Sequence, residues 1–117
     1  MFKITGLGID IEEVRRFKFL PYRNNKSFYR KIFTPGEINY CLSKSEPAQH
    51  FAGRFAAKEA VIKAKGGKLP EVKRIEVIND RRGRPLIKLQ TPNRKSKILI
   101  SMSHTKDYAI ALAICLN

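Results

Sequence analysis

Apolar and polar positions alternate near the start of the chain, in the segment KITGLGIDI at residues 3–11. One face of this segment carries aliphatic side chains, whereas the other carries Gly6, Gly8 and then Asp10. A period of two predicts a β-strand, and a face without side chains predicts the close approach of another backbone or of a ligand. Asp10 is the first side chain on that open face.

The next part of the chain has helical spacing and the residues that begin and end helices. Two short helices are predicted first, at residues 12–20 and 25–33. Thr34-Pro35-Gly36-Glu37 has the form of a capping box, so a third helix is expected from there to about Leu42. A longer helix begins at Ser45-Glu46-Pro47, continues through FAGRFAAKEAVIKAK and ends at Gly66-Gly67.

Beyond the glycine pair the pattern returns to a period of two. Four strands are predicted, at residues 73–79, 86–91, 97–103 and 108–116. DRRGRP at 80–85 reads as the turn of a hairpin, and a second turn is expected around Thr105-Lys106-Asp107. One strand, then helices, then about four strands indicates an α+β fold with an antiparallel sheet. The 117 residues fit a single domain, 1–117.

The long helix carries an acid on its apolar side. On a helical wheel Glu59 falls between the stripe that contains Phe51 and Phe55 and a stripe of alanines. A buried carboxylate without a partner costs several kcal/mol, roughly, so compensation is expected. Two explanations stay open: an ion pair with Lys63 one turn later, or a divalent cation with Lys63 free to meet phosphate.

Asp10 shows the same misfit, because it follows an apolar strand whose other residues on that face are glycines. Two such acids on separate elements, in a chain rich in positive charge, suit a Mg²⁺–diphosphate site. Mg²⁺ is usually held by one or two carboxylates together with waters and substrate phosphates. Sequence spacing does not show that Asp10 and Glu59 meet in space.

Composition narrows the choice of partner. Lys and Arg number 24 against 10 Asp and Glu, a formal net charge of +14, which attracts nucleic acid, anionic lipid, nucleotides or an acidic protein. The two cysteines, Cys41 and Cys115, lack the spacing of a zinc site and predict reduced thiols in a cytosolic protein. No stretch approaches the ~20 apolar residues of a membrane helix, so no membrane partner is expected.

A nucleic-acid-binding module without catalysis is the alternative that the charge favours. Against it, aromatic residues are not interleaved with the basic clusters, as a stacking platform requires. No helix-turn-helix, zinc-finger or RNA-recognition pattern is visible either, so no nucleic acid is expected.

Four blocks of the sequence resemble a known family. The blocks are GLGIDIEEVRR (6–16), FAGRFAAKEAVIKA (51–64), the Asp80-x-x-Gly83-Arg84-Pro85 turn and ISMSHTKDYAIA (100–111). In this order they resemble the acyl-carrier-protein-synthase type of phosphopantetheinyl transferase. The resemblance spans nearly the whole chain, and its second and fourth blocks are specific.

The resemblance implies a fold and a reaction. The fold is a long helix packed on a small antiparallel sheet, assembled as a homotrimer with active sites between subunits. The reaction moves 4′-phosphopantetheine from coenzyme A to a serine of apo acyl carrier protein and releases adenosine 3′,5′-bisphosphate, in fatty acid biosynthesis. Broad-range relatives that act on other carriers are usually longer, with two fused halves.

The resemblance also assigns residues to roles. It implies that Asp10 and Glu59 are the Mg²⁺ ligands and that Lys63 contacts the phosphates. Near the nucleotide end of coenzyme A it places His104, Thr105, Arg54 and the turn residues Gly83, Arg84 and Pro85. Arg16 is implied to dock the acidic carrier, and Arg15 and Arg23 are expected to assist by charge. The base that accepts the serine proton stays open between Glu59 and a water on the ion.

Overall fold

The fold is known from a computed structural model of the chain that describes residues 2–67, 71–90 and 97–117. The strands are β1 (Ile4–Glu13), β2 (Ile75–Asn79), β3 (Pro85–Leu89), β4 (Lys97–His104) and β5 (Tyr108–Leu116). The helices are α1 (Arg15–Lys18), α2 (Lys26–Ile32), α3 (Pro35–Leu42) and α4 (Pro47–Ala64), with 3₁₀ turns at Tyr22–Asn24 and Val72–Arg74. The predicted α+β class is confirmed.

The strands form two antiparallel sheets. One has the order β1-β5-β4 and the other is the β2-β3 hairpin. β1 and β4 both pair with β5, so the N-terminal strand lies beside the last strand of the chain. The helices α2 and α3, the Thr34–Glu37 capping box and the long helix α4 are found where the sequence predicts them.

The helix predicted at residues 12–20 is wrong in its first half. β1 continues through Glu13, because Glu12 pairs with Ala109 and Glu13 with Tyr108 of β5. The Val14 N–H then donates to the Asp107 carbonyl, and only Arg15–Lys18 is helical. Open hydrogen-bonding positions on β5 outweigh the helical preference of the two glutamates.

The first hairpin differs at its ends. The strand predicted at 73–79 begins at Ile75, after the 3₁₀ turn, and the strand predicted at 86–91 runs from Pro85 to Leu89. Position 91 lies outside the described residues. The strands predicted at 97–103 and 108–116 and both turns are confirmed.

Helix α4 lies close against β1 because the facing surfaces of both elements carry only very small residues. A Cβ atom added to Gly6 would overlap the Ala64 carbonyl oxygen, and one added to Gly8 would overlap the Ala60 carbonyl oxygen. Alanines on α4 and on the inner face of β5 complete this layer. The glycines of β1 therefore set the distance at which α4 crosses the sheet.

A second core cluster holds the short helices against the other end of α4. It is aromatic, with Phe17, Tyr29, Phe33 and Phe51 all nearly inaccessible to solvent. The Tyr29 hydroxyl donates to the Leu20 carbonyl at 2.6 Å, which satisfies its buried polar group.

A buried ion pair joins the helices to the hairpin. Lys58 of α4 and Glu37 of α3 are fully buried, with 2.6 Å between Lys58 Nζ and Glu37 Oε1. Glu37 also accepts from the backbone N–H groups of Thr34 and Val77, and Lys58 also donates to the Ile32 carbonyl. Burial lowers the pKa of Lys58, and the Glu37 carboxylate opposes that shift. Loss of one partner of such a pair costs about 3–5 kcal/mol.

No helix among the described residues is long and apolar enough to span a membrane.

The contact between β1 and α4 gives a direct test. We expect Gly8→Ala to lower the free energy of unfolding by about 3 kcal/mol or to prevent folding, because the new methyl group meets backbone atoms of Ala60 and Ala64. Urea denaturation followed by circular dichroism measures the change. The control is Gly36→Ala in α3, whose added Cβ has its nearest contact at 3.6 Å. An equal effect of the two substitutions would contradict the close-packing explanation.

Candidate active site

Asp10 and Lys63 meet across the contact between β1 and α4. Lys63 Nζ lies 3.1 Å from Asp10 Oδ1 and also donates to the Ile9 carbonyl at 3.0 Å. Asp10 faces α4 because it follows Gly6 and Gly8 on the inner side of β1. Its second oxygen, Oδ2, is buried and has no hydrogen-bond partner among the described residues. That oxygen is available to a ligand.

Glu59 is half-buried one helical turn before Lys63. The ion pair of Lys63 goes across to Asp10 rather than back along the helix, so the alternative of a Glu59–Lys63 pair is not the arrangement seen. Glu59 is also close enough to β1 for its charge to raise the pKa of Glu12. The structure thus brings the two acids singled out in the sequence into one neighbourhood.

Glu12 is a third acid of this neighbourhood, and the sequence analysis missed it. Its pKa is raised to about 8, first by burial, then by a hydrogen bond with Asp10 and by the Asp10 and Glu59 charges, while Arg16 opposes the shift. The predicted helix at residues 12–20 included position 12. Extending the alternation of Gly6, Gly8 and Asp10 by one more step would have put Glu12 on the same face. We call Asp10, Glu12, Glu59 and Lys63 the acid site.

The acid site has the donors that a hard divalent cation requires. It offers carboxylate oxygens only, one of them buried without a partner, which is the ligand chemistry of Mg²⁺. Within the described ranges no three His, Cys, Asp or Glu side chains form a ready-made cage. Two carboxylates, one of which has an oxygen without a partner, still fit an ion that takes its other ligands from water and phosphate.

Arg54 lies on a different side of α4, in basic surroundings. It is 4% exposed, its guanidinium lies 3.8 Å from the Tyr40 ring centroid, and Nη2 donates to Asn79 Oδ1 at 2.5 Å. Its Nε is buried without a partner in the described structure. A buried guanidinium held by an aromatic ring and an amide, and by no carboxylate among the described residues, favours an incoming anion.

Of the two histidines of the chain, His50 lies close enough to Arg54 to feel its charge, and His104 lies next to His50. His104, at the end of β4, is 5.9 Å from His50 of α4 between ring centroids, and His50 packs edge-on against Tyr40. Lys44 Nζ lies 4.7 Å from the Tyr40 ring centroid. We call this group the basic cluster: Tyr40, Lys44, His50, Arg54 and His104. The sequence analysis identified Arg54 and His104 but not the other three.

The hairpin turn is tied to Arg54 through Asn79. Asn79 accepts from Arg54 and donates from Nδ2 to the Gly83 carbonyl at 3.0 Å. Asp80 Oδ1 accepts from the Arg82 and Arg84 N–H groups and so shapes the turn, where Gly83 has a φ of 83°. The predicted residues Gly83, Arg84 and Pro85 therefore lie next to the basic cluster.

Thr105 has a structural task in the turn between β4 and β5. Its hydroxyl accepts from the Asp107 and Tyr108 N–H groups, at 3.3 and 3.1 Å. This closes the turn directly after His104 and fixes where β4 ends.

The predicted docking arginines are exposed on the corner formed by α1 and the following turn. Arg15 pairs with Glu13 at 2.6 Å. Arg16 lies 3.4 Å from Glu12 and 5.2 Å from the Phe55 ring centroid. Arg23 lines an apolar groove with Phe17, Tyr22 and Phe51. The corner thus combines positive charge with apolar surface, and Arg16 contacts the acid site directly.

Comparison with known proteins identifies the family of the chain. The family model described as the 4′-phosphopantetheinyl transferase superfamily matches residues 6–113. The chain belongs to this superfamily. A holo-[acyl-carrier-protein] synthase from Thermodesulfovibrio yellowstonii is 46% identical over 112 residues, which cover 95% of this chain and 97% of that protein. The holo-[acyl-carrier-protein] synthase from Chlamydia trachomatis is 44% identical over 115 residues. The resemblance found in the sequence is confirmed.

Solved structures in the superfamily share the fold. The holo-(acyl-carrier-protein) synthase from Bacillus anthracis, in complex with CoA (3′,5′-ADP), has a TM-score of 0.83 at 35% identity and covers 97% of each chain. A Helicobacter pylori holo-[acyl-carrier-protein] synthase in complex with coenzyme A has a TM-score of 0.80 at 27% identity, over 93% of this chain and 98% of that one.

The raised pKa of Glu12 has a consequence for stability in EDTA. A carboxyl whose pKa rises from 4.5 in the unfolded chain to about 8 in the folded one stabilises the fold at low pH, and that stabilisation is lost as pH rises toward 8. Glu12→Gln removes this dependence. We expect the variant to gain stability over the parent protein between pH 5 and pH 8, measured by urea denaturation at each pH.

Glu13→Gln is the matched control, because Glu13 is exposed and pairs with Arg15 on the other side of β1. The stability difference between this control and the parent protein should stay nearly constant with pH. If Glu12→Gln kept the full pH dependence of the parent, the burial of an acid at position 12 would be rejected.

Proposed function

We propose that this protein transfers the 4′-phosphopantetheine group of coenzyme A to a serine of apo acyl carrier protein and releases adenosine 3′,5′-bisphosphate. The observation that carries the proposal is the pairing of an acid site, in which Lys63 lies beside a carboxylate with a free buried oxygen, with a separate basic cluster. The superfamily match and relatives that bear the name holo-[acyl-carrier-protein] synthase support the same reaction.

The reaction needs positioning and charge neutralisation more than covalent chemistry. The serine oxygen forms a bond to the β-phosphorus of the coenzyme diphosphate, and its proton passes to Glu59 or to a water. The bond from that phosphorus to the bridging oxygen breaks, and this oxygen leaves with adenosine 3′,5′-bisphosphate. Lys63 is the residue of this chain that would hold the diphosphate as a fixed positive charge. It is already directed toward β1 by its bonds to Asp10 and the Ile9 carbonyl.

Asp10 and Glu59 would hold the Mg²⁺ ion, with Glu12 beside them. When bound, the ion would neutralise negative charge on the diphosphate. The crowding of acids that raises the pKa of Glu12 is one that a divalent cation would offset. The ammonium of Lys63, which pairs with Asp10 in this structure, would contact the phosphates.

The basic cluster would bind the nucleotide end of coenzyme A, near the turn at Gly83–Pro85. Arg54 supplies a buried guanidinium, and His104 lies next to His50 at the end of β4. Thr105 would act there through the turn that it closes.

The corner that carries Arg15, Arg16 and Arg23 would dock the acidic carrier. Arg16 is the central residue, because its contacts with Glu12 and Phe55 place the docked carrier beside the acid site. Phe19, 78% exposed, adds apolar surface to the same corner.

We also propose a homotrimer. The outer face of the three-stranded sheet exposes large apolar side chains, including Leu7 at 64%, Ile9 at 57% and Ile11 at 60%. Ile110 and Leu99 extend the patch across β5 and β4. Continuous apolar surface of this kind marks an interface, and a second copy of the same chain fits it because the patch carries little charge.

The separation between the acid site and the basic cluster also favours an assembly in which a neighbouring subunit contributes to the site. Arg54 and Glu59 are five residues apart on α4 and so point about 140° away from each other. Glu12 and His104 both pair with Ala109 in β5, which puts them on opposite edges of the sheet, roughly 10 Å apart. With α4 between them, the acid site of one subunit would combine with the basic cluster of the next in a cyclic assembly.

Within this proposal residues 1–117 act as one domain in the cytosol, in fatty acid biosynthesis. The free thiols of Cys41 and Cys115, both buried, are compatible with a reducing compartment.

Intact-protein mass spectrometry of an apo acyl carrier protein tests the reaction. Incubation with this protein, coenzyme A and Mg²⁺ should add one phosphopantetheine mass, and EDTA should abolish the gain. Asp10→Asn and Glu59→Gln should each slow transfer at least about 100-fold, because each removes a charged ligand. The exposed Glu71→Gln is the control and should transfer normally. Failure of the parent protein on several carriers would reject the function.

Sedimentation velocity tests the assembly. The parent protein should sediment as a trimer, whereas Ile9→Lys should sediment as a monomer and lose transfer activity, because a charge enters the apolar face. Leu42→Lys on α3 is the control for sedimentation only, since this exposed leucine lies outside the sheet but lines the groove that contains Arg23. A monomeric parent with full activity would contradict sites shared between subunits.

A further inference from the structure

His50 lies at the centre of the basic cluster, although no block of the sequence singled it out. It sits in the first turns of α4, half-buried, with charged or aromatic groups on three sides. Tyr40 approaches it from α3, Lys44 from the segment after α3, Arg54 from its own helix and His104 from β4. These are the titratable and charged groups that face the imidazole.

The charges around His50 all have the same sign. Burial lowers the pKa of His50 first, and His104, Lys44 and Arg54 lower it further. The positive end of the α4 dipole, which begins at Pro47, acts in the same direction. Within the described structure the environment of His50 therefore contains permanent cations, a second imidazole and a buried guanidinium whose Nε has no partner.

A cluster of positively charged groups without an acidic residue is electrostatically unfavourable, and a bound anion would stabilise it. In the free protein a proton on His50 is disfavoured, because it would meet three neighbouring basic groups in a partly buried position. A phosphate placed among these groups reverses the balance, since its negative charge stabilises a charged imidazole. Within the cluster, His50 is the side chain whose protonation is opposed both by burial and by the charges of its neighbours.

We propose that His50 is a binding residue for the phosphate of the nucleotide, and that it takes up a proton when the nucleotide binds. This inference rests on the proposed function only for the identity of the nucleotide. By linkage, an equilibrium that takes up a proton becomes more favourable as pH falls through the interval between the free and bound pKa values. Binding of adenosine 3′,5′-bisphosphate should therefore tighten at mildly acidic pH through His50.

Nuclear magnetic resonance of the imidazole groups tests the proposal directly. The chain has 2 histidines, so a His50→Gln variant assigns both Cε1–H signals. The pKa of His50 in the free protein should lie below 6.5 and rise by about one unit on saturation with adenosine 3′,5′-bisphosphate. Because the signal reports the imidazole itself, titration of the ligand phosphate does not confuse the reading.

Two variants separate a titrating residue from a permanent charge. His50→Gln should weaken adenosine 3′,5′-bisphosphate binding roughly threefold at pH 6 and leave it nearly unchanged at pH 8, from the shift of about one unit. Lys44→Gln should weaken binding by a similar factor at both pH values, because it removes a positive charge and leaves the imidazole of His50 in place. Isothermal titration calorimetry measures both, with the parent protein as reference at each pH.

The outcomes are distinct. If the nucleotide binds and the His50 signal titrates identically with and without it, His50 is outside the phosphate site and the inference is overturned, while the transfer function stands. A pH-independent loss in His50→Gln would equally reject proton uptake. If neither the nucleotide nor coenzyme A binds to the parent protein, the proposed function fails and the inference fails with it.

Discussion

The backbone contact between β1 and α4 is the constraint on which the rest of the structure depends. Gly6 and Gly8 have no side chains that would hold the helix away from the strand. The helix has the small residues Ala60 and Ala64 at the points of contact. The result is a helix seated close enough for Lys63 to reach the Ile9 carbonyl and the Asp10 carboxylate. The same contact places Asp10 opposite the helix that carries Glu59. The acid site therefore results from the direct packing of a strand and a helix that have no bulky side chains between them.

The electrostatic layout follows from the position of α4 over the sheet. Three of the ten acidic residues of a strongly basic chain lie on the β1 side of this helix, and four basic side chains gather on its β4 side. Each group is unfavourable by itself, because like charges crowd together in partly buried surroundings. A cation relieves the first group and an anion relieves the second. A ligand that carries phosphates and brings a divalent ion satisfies both at once.

The outer face of the sheet fits the same layout. β1 alternates between small or acidic residues toward α4 and exposed aliphatic residues away from it. The strand therefore has two different faces, one that carries the acids and one that is apolar. In the proposed trimer, a neighbouring subunit would bring together the acid site and the basic cluster, which α4 separates within one chain.

The sequence predicted those features that local rules determine. The capping box at Thr34, the end of α4 at Gly66 and the turn at Asp80 all follow from local preferences, and all are present. The misplaced acids Asp10 and Glu59 were visible because each breaks an apolar pattern. Glu12 was missed because its two neighbouring acids and the following arginines look helical, whereas pairing with β5 keeps residue 12 in a strand.

Contacts between residues far apart in the chain could not be predicted from the hydrophobic pattern of the sequence. Nothing at Lys58 shows that it will be buried against Glu37, 21 positions away, because a lysine after two alanines reads as a solvent-facing residue. The gathering of Tyr40, Lys44 and His50 around Arg54 likewise depends on how α3 crosses α4. Such contacts arise from tertiary packing, which a helical wheel drawn for one element does not contain.

Paramagnetic relaxation by Mn²⁺ tests the central claim most directly, because it locates a bound ion without any reaction. With Mn²⁺ added in substoichiometric amounts to the isotope-labelled protein, we predict that amide signals of β1 around Asp10 and of α4 around Glu59 broaden together. Excess Mg²⁺ should restore both. Broadening confined to one of the two elements, or centred on another part of the chain, would contradict a metal site built where β1 and α4 meet.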